Sequence, residues 1–148
     1  MRRILYKEEV CIGCDLCEVH CLVQHSKSKD IIKAYKQEVP RSLSRVRLEV
    51  NRPLAFAIQC QHCGDPLCVA VCLSGAMQKD EETGLVIHDA EKCIGCWTCI
   101  MVCPYSAIKR DTAKRRVVAK CDLCSELETP ACVANCPNEA LIYGEATF

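Results

Sequence analysis

The 148-residue sequence has few aromatic residues and lacks the short motifs that mark common catalytic centres. Two Phe, four Tyr and one Trp would give an ordinary packed core that is thin for this length. No phosphate-binding loop, dinucleotide fingerprint, Ser-His-Asp or Cys-His catalytic arrangement is present. We therefore predict that this chain is not an enzyme and that any catalysis resides on another subunit.

Signals for export and membrane insertion are lacking as well. Residues 1–10 contain no apolar run of signal-peptide length, and charged residues interrupt what there is. The sequence has no long insertions and no C-terminal transmembrane helix. We expect no direct membrane span and a cytoplasmic location, where free thiols stay reduced.

Cysteine, by contrast, is abundant, because sixteen cysteines fall into four sets of four. Set one is Cys11, Cys14, Cys17 and Cys21; set two is Cys60, Cys63, Cys68 and Cys72; set three is Cys93, Cys96, Cys99 and Cys103; set four is Cys121, Cys124, Cys132 and Cys136. Sets one and three have the full C-x2-C-x2-C-x3-C spacing, and Pro104 and Pro137 follow the last cysteine of sets three and four. This is the ligand pattern of bacterial ferredoxins.

The spacing has a geometric reason. Two residues between cysteines let one tight loop present three thiolates to three iron corners of a cubane, while the fourth cysteine points away and ligates the other cluster of a pair. Sixteen ligands then divide among four [4Fe–4S] clusters with none missing, so three-iron clusters are not expected. The clusters would form much of the core, and metal binding would supply much of the folding free energy.

Two other uses of cysteine fit less well. A secreted disulfide scaffold suits the even count, but the export signal is missing. A zinc ribbon uses two C-x2-C pairs and leaves no role for the third and fourth cysteines of each set. The spacing therefore favours iron–sulfur clusters and a protein that moves electrons.

Short strands and helical turns are predicted between the cysteine sets. We expect a hairpin from Gly75–Lys79 and Leu85–His88, a strand at Arg116–Ala119, helical turns at Thr98–Val102 and Ala131–Asn135, and terminal strands at Ile4–Tyr6 and Ala140–Tyr143 that could pair with each other. Spacing alone leaves two pairings of the sets open. Sets two and three pair inside one and four, or else three pairs with four and one with two.

Basic residues are concentrated in one stretch, although 19 Lys and Arg balance 19 Asp and Glu overall. Eight of them lie between Leu22 and Gln59 against three acids, namely Lys27, Lys29, Lys33, Lys36, Arg41, Arg45, Arg47 and Arg52. A solvated face that offsets cluster charge and a docking surface for an acidic partner are about equally good interpretations. No aromatic stacking pattern supports a nucleic-acid site.

Four motifs in order carry a family resemblance. They are C-I-G-C-x-x-C-E-x-x-C, Q-C-x-H-C-x-x-P-x-C-x-x-x-C, C-I-G-C-W-T-C-I-M-V-C-P-Y, and K-C-D-L-C with P-A-C-V-x-x-C-P-x-x-A. From Tyr6 to Tyr143 the chain resembles the four-cluster iron–sulfur subunits of the dimethyl sulfoxide reductase family. It is most similar to their small cytoplasmic relatives, the electron-transfer subunits associated with carbon monoxide dehydrogenase, hydrogenase-linked formate systems and tungsten aldehyde oxidoreductases.

The resemblance implies an α+β fold of two nested bacterial-ferredoxin-like modules, of βαββαβ type, organised around four cubane clusters in a single polyferredoxin domain, 1–148. The outer module would be 1–25 plus 115–148, the inner one 54–114, and 26–53 a basic insertion. The implied ligands are Cys11, Cys14, Cys17 and Cys136 for cluster 1; Cys60, Cys63, Cys68 and Cys103 for cluster 2; Cys93, Cys96, Cys99 and Cys72 for cluster 3; and Cys121, Cys124, Cys132 and Cys21 for cluster 4.

The resemblance also implies a function. The chain would relay single electrons between a catalytic oxidoreductase subunit, of the carbon monoxide dehydrogenase or tungsten aldehyde oxidoreductase type, and a flavoprotein, ferredoxin or hydrogenase. A free-standing polyferredoxin and an interaction or scaffold protein with structural clusters are alternatives, and self-association is possible. Two departures are the short Cys124–Cys132 spacing of seven residues, and Leu22 and Leu73 where a bacterial ferredoxin has proline.

The histidines and the tryptophan beside the cysteine sets are predicted not to bind metal. With sixteen cysteines present, neither His20 nor His62 is needed as a ligand. His25 and His88 are predicted to face solvent or to be satisfied locally. Trp97, inside the loop of set three, is expected to pack against its surroundings rather than to contact a partner.

Overall fold

The structure is a computed structural model that describes residues 2–111 and 117–145. Its elements are short and are joined by longer loops. In chain order they are β1 (Arg2–Tyr6), a 3-10 turn (Glu8–Val10), α1 (Leu16–Gln24), α2 (Ile31–Lys36), β2 (Arg47–Asn51), β3 (Leu54–Ile58), α3 (Leu67–Ala70), β4 (Met77–Lys79), β5 (Val86–His88), α4 (Thr98–Val102), β6 (Lys109–Asp111), β7 (Val117–Ala119), α5 (Ala131–Ala134) and β8 (Leu141–Glu145). The fold is a mixture of helices and small sheets, as the predicted α+β class requires.

The described strands form four antiparallel pairs. Three pairs are hairpins of consecutive strands, β2–β3, β4–β5 and β6–β7. The fourth joins β1 to β8, with Ile4 opposite Tyr143, so the two ends of the described chain lie side by side. This confirms the predicted pairing of the terminal strands. Helix α1, which carries Cys17 and Cys21, also packs against α5, which carries Cys132.

The predicted hairpin between sets two and three is confirmed as β4–β5, with Met77 opposite His88. Its connection turns at Asp80, whose backbone oxygen accepts from the Gly84 amide at 2.7 Å. Helix α4 has the predicted bounds. Strand β7 begins at Val117, because Arg116 of the predicted strand lies outside the described residues.

Buried residues form two hydrophobic clusters in which cysteine has a large share. The larger contains Ile4, Val46, Ala57, Leu123 and Leu141 together with Cys17, Cys21, Cys121 and Cys132. The smaller contains Met77, Ile108 and Val118, with Cys68, Cys72, Cys99, Cys103 and Trp97 packed against it. The core therefore consists of thiol-lined regions, which is how a chain with few aromatic side chains fills its interior.

The basic stretch is structured, although no regular element is predicted there from the sequence. Asp30 caps α2 by accepting from the Lys33 amide at 2.9 Å. The hairpin β2–β3 is fastened to α1, because the Leu48 amide donates to the Glu18 carboxylate at 2.6 Å. Val46, which precedes β2, is 2% exposed and belongs to the larger hydrophobic cluster. The stretch thus supplies part of the core.

None of the helices in residues 2–111 and 117–145 has the length and apolar character that crossing a membrane requires. The longest, α1, has nine residues, whereas a bilayer-spanning helix needs about 20.

Candidate iron–sulfur centres

The loops of sets one and three share one backbone design. In each, the glycine before the second cysteine and the residue after that cysteine have positive φ: Gly13 at 67° and Asp15 at 61°, Gly95 at 70° and Trp97 at 62°. Helices α1 and α4 begin directly after these residues. Left-handed residues reverse the chain between cysteines, so the loop coils tightly enough to present its thiols together. A Cβ at Gly13 would approach Val50 Cγ2 to 3.3 Å.

The loops of sets two and four also turn through residues with positive φ, but at other positions. His62 has φ of 46°, while Leu123 and Cys124 have φ of 57° and 48°. The third cysteine of each set then lies on a short helix that begins after a proline, α3 after Pro66 and α5 after Pro130. Proline suits that place because its fixed φ and missing N–H cost nothing at the start of a helix.

Two cavities are each lined by four cysteines from two different sets. One is lined by Cys11, Cys14 and Cys17 of set one and by Cys136 of set four. The other is lined by Cys93, Cys96 and Cys99 of set three and by Cys72 of set two. In both, the last cysteine of one set lies with the first three of another.

The charges of the remaining eight cysteines act on one another in a pattern that favours two further groups. Burial, together with the charges of Cys60 and Cys103, raises the pKa of Cys68 and of Cys63. Burial is also the main cause of the raised pKa of Cys124 and Cys132, and the charge of Cys21 adds to it in both. The charges of Cys21 and Cys60 both act on Cys121, so Cys121 adjoins both groups.

Buried thiols of this kind are suited to metal ligation rather than to a free thiolate. Burial raises the pKa of Cys17 and of Cys121 to about 12, so without metal both would be protonated at neutral pH. A coordinated metal removes the proton and compensates the thiolate charge. Cavities lined by four thiols therefore fit [4Fe–4S] clusters.

Backbone amides already point at several of these sulfur atoms. The Arg45 amide donates to Cys21 Sγ at 3.2 Å, the Met77 amide to Cys72 Sγ at 3.3 Å, and the Leu123 amide to Cys121 Sγ at 3.4 Å. Such donors stabilise negative charge on sulfur, and around iron–sulfur clusters they tune the reduction potential.

Cys21 lies in a charged network that joins distant parts of the chain. His25 Nε2 lies 3.2 Å from Asp122, and the Arg45 guanidinium also pairs with Asp122. Burial opposes a charge on His25, but the hydrogen bonds to Asp122 and Cys21 outweigh it and raise its pKa to about 9. Burial likewise opposes ionisation of Cys21, but the hydrogen bonds from His25 and the Arg45 amide lower its pKa. The prediction that His25 is solvent-facing or satisfied locally holds only for Nδ1, which lies 2.7 Å from the backbone oxygen of Cys21. The side chain is largely buried, and Nε2 contacts a residue 97 positions away.

Two further histidines and Trp97 have distinct surroundings. His62 is 1% exposed, and its Nδ1 accepts from the Val86 amide at 3.1 Å. His88 is half-buried, and its Nε2 has no hydrogen-bond partner among the described residues, so the prediction for it fails. Trp97 packs against the smaller hydrophobic cluster and under the Arg110 guanidinium at 4.7 Å, which supports its predicted packing role.

Comparison with known proteins gives a consistent family. The model of the 4Fe-4S dicluster domain matches residues 52–146, which include sets two, three and four. The chain is 36% identical to electron transport protein HydN of Escherichia coli strain K12, over 95% of this chain and 86% of the relative. It is 33% identical to the thiosulfate reductase electron transfer subunit PhsB of Salmonella typhi, over 95% of this chain and 74% of the relative.

A solved structure agrees at the level of the fold. A chain of the active-site complex BamBC of benzoyl coenzyme A reductase superposes with a TM-score of 0.52 at 20% identity, covering 97% of this chain and 76% of that one. The cysteine loops of this chain, and the matches over most of its length, lead to one family assignment. The chain belongs to the 4Fe-4S dicluster domain family and is a ferredoxin-type electron-transport protein that holds [4Fe–4S] clusters.

Proposed function

We propose that the chain relays single electrons through four [4Fe–4S] clusters as a non-catalytic subunit of an oxidoreductase complex. The observation that carries the proposal is that two cavities are each lined by four cysteines, three from one set and the last from another. A scaffold would need neither four complete groups nor amide donors directed at the sulfur atoms.

The ligands we propose follow these groups. Cluster 1 is held by Cys11, Cys14, Cys17 and Cys136; cluster 2 by Cys60, Cys63, Cys68 and Cys103; cluster 3 by Cys93, Cys96, Cys99 and Cys72; cluster 4 by Cys121, Cys124, Cys132 and Cys21. Two cavities and two electrostatic groups support these sets. The assignment implies an inner module of sets two and three inside an outer module of sets one and four.

The same groups suggest a row of clusters. Cluster 1 and cluster 4 share the larger hydrophobic cluster, since Cys17 and Cys132 both belong to it. Cys60 of cluster 2 packs against that same core, while Cys68 and Cys99 pack against the smaller one. We infer the order 1–4–2–3, because the charge of Cys60 in cluster 2 also acts on Cys121 in cluster 4. An electron would then enter at one end of the row and leave at the other.

The chain's residues set how easily each position accepts an electron. When bound, the clusters supply one-electron redox chemistry, and for all-cysteine ligation in this chain we expect low potentials, of the order of −400 mV. Amides such as those of Arg45 and Met77 stabilise charge on sulfur and favour reduction. Cys96 is exposed, whereas Cys121 and Cys132 are buried, so cluster 3 would lie nearer to solvent than cluster 4.

The partners we propose are a catalytic oxidoreductase, of the carbon monoxide dehydrogenase or tungsten aldehyde oxidoreductase type, and a flavoprotein, ferredoxin or hydrogenase. Support comes from PhsB, which is named an electron transfer subunit of thiosulfate reductase. HydN is named only an electron transport protein, which suits the alternative of a free-standing polyferredoxin. Thiolate-ligated clusters suit a reducing compartment, so the location we propose is the cytoplasm.

The decisive experiment measures metal content and reducibility of protein made without oxygen. We expect about sixteen iron and about sixteen acid-labile sulfide per chain, with every cluster reduced reversibly by dithionite. A preparation dominated by zinc would overturn the proposal. Clusters that cannot be reduced would favour the scaffold alternative, and co-purification with a catalytic subunit separates a complex from a free-standing carrier.

A further inference from the structure

Lys120 places a positive charge inside the protein. The residue is 5% exposed, although lysine is almost never fully buried unless it is paired. Its Nζ donates to the backbone oxygen of Cys121 at 2.9 Å and also to that of Val86. Carbonyl oxygens satisfy two of its three donors but supply no negative charge.

No carboxylate balances this charge in the part of the chain that the structure describes. The ion pairs there do not include Lys120. Asp122 lines the same cavity as Lys120, but its carboxylate is bound by His25 and Arg45. Burying an ammonium group without a counter-charge costs several kcal/mol, so the fold must hold a negative charge near it.

Clusters held by the proposed ligands would provide that charge, because Lys120 lies beside residues of two ligand sets. Four thiolates around a cubane leave a net charge of roughly −2 when oxidised and roughly −3 when reduced. Lys120 directly precedes Cys121, a proposed ligand of cluster 4. Its partner Val86 also donates its amide to His62 at 3.1 Å, and His62 lies between Cys60 and Cys63, two proposed ligands of cluster 2. The two carbonyl partners of Lys120 come from both sides, Val86 from the hairpin between sets two and three and Cys121 from set four.

We propose that Lys120 is a positioning residue for electron transfer, a fixed positive charge at the junction of clusters 2 and 4 that stabilises their reduced forms. The inference rests on the proposed function and its ligand sets. With clusters bound at these ligands, an electron lost by one cluster would be gained by the other, with no bond broken and no proton moved. The Lys120 ammonium group, held between the two ligand sets, would lower the energy of the electron on either cluster.

A second lysine gives a matched control. Lys92 stands directly before Cys93 as Lys120 stands before Cys121. Its side chain is 55% exposed, and its Nζ lies 3.2 Å from Asp89. Solvent and this carboxylate screen its charge, so its removal should leave the clusters little changed.

The test is a reductive titration of the anaerobic protein followed by electron paramagnetic resonance, comparing Lys120→Gln, Lys120→Arg and Lys92→Gln with the unmodified chain. In Lys120→Gln we expect two of the four clusters to become harder to reduce by about tenfold each, or about 59 mV, as loss of a nearby buried charge predicts. Lys120→Arg, which keeps the charge, and Lys92→Gln should shift every cluster less than twofold.

Each outcome bears on the proposal. Four potentials that are the same in Lys120→Gln and Lys92→Gln would overturn it. If Lys120→Gln does not assemble its clusters, assembly and normal potentials in Lys120→Arg would support the role of the charge, whereas failure of both variants would refute it. Fewer than about sixteen irons in the unmodified chain would instead contradict the proposed function, so the two failures are distinguishable.

Discussion

Single residues in this protein act mainly on the electrostatics of the sulfur ligands. Cys21 is the best example, because the Arg45 amide donates to its Sγ at 3.2 Å and His25 lies beside it. Asp122 pairs with both His25 and Arg45. Burial of the Asp122 carboxyl would raise its pKa, but the hydrogen bond from His25 and the charges of Arg45 and His25 outweigh burial and hold the pKa well below its usual range. A ligand, an amide and an ion-paired network therefore act as one unit.

The contribution of the amide at Arg45 can be separated from that of its side chain. Arg45→Ala removes the guanidinium but keeps the N–H, whereas Arg45→Pro removes both. One such hydrogen bond contributes about 0.5–1.5 kcal/mol, so we expect the cluster bound by Cys21 to be roughly 2- to 10-fold harder to reduce in Arg45→Pro than in Arg45→Ala. Redox titration of both variants, at equal iron content, measures the difference. Equal potentials would show that the amide has no effect on this cluster.

At the scale of elements, the pairing of β1 with β8 is the contact that brings the two ends of the chain together. Ile4 in β1 is 3% exposed and belongs to the larger hydrophobic cluster, together with Leu141 of β8 and four cysteines. Its neighbour Leu5 points to the other face of the strand and is 37% exposed. Side chains alternate across a strand, so these two leucine-sized residues differ chiefly in burial.

This difference gives a stability prediction. Ile4→Ala should cost about 2–5 kcal/mol, because it removes buried methylene groups and leaves a cavity beside the ligand-bearing core. Leu5→Ala, on the same strand, should cost less than about 1.5 kcal/mol, because much of its side chain is already in water. Loss of the visible cluster absorbance on heating measures both. A Leu5→Ala variant as unstable as Ile4→Ala would mean that the strand pairing, and not the core contact, sets the stability.

Elements also show what sequence could and could not predict. Cysteine spacing and nearby prolines predicted the loops, helix α4 and the hairpin Met77–His88. These features could be predicted because ligand spacing and turns depend on residues close together in the sequence. The contact of His25 with Asp122 and the burial of Lys120 depend on the meeting of segments far apart in sequence. The hairpin β2–β3 was not predicted for another reason, since β2 lies in the basic stretch, which was interpreted only as a solvated face or a docking surface.

At the scale of the whole molecule, the basic stretch is partly occupied by internal contacts. Lys29 pairs with Glu126 at 3.2 Å, Arg47 with Glu49 at 2.7 Å, and Arg45 with Asp122. These pairs favour the interpretation that the stretch offsets charge within the protein. Lys33 and Lys36, in the last turn of α2, are exposed and remain suited to contact an acidic partner.

The pairing of the cysteine sets decides how the whole chain is organised, and it can be tested by counting clusters. If Cys21 and Cys132 ligate the same cluster, the double variant Cys21→Ala with Cys132→Ala damages one cluster and leaves three intact. The control double variant, Cys21→Ala with Cys68→Ala, removes as many ligands but from two clusters, so only two stay intact. Mössbauer spectroscopy of iron-57-labelled protein counts the intact [4Fe–4S] clusters in each. The reverse order of the two counts would place Cys21 on the cluster of set two, and the modules would then follow one another along the chain instead of one lying inside the other.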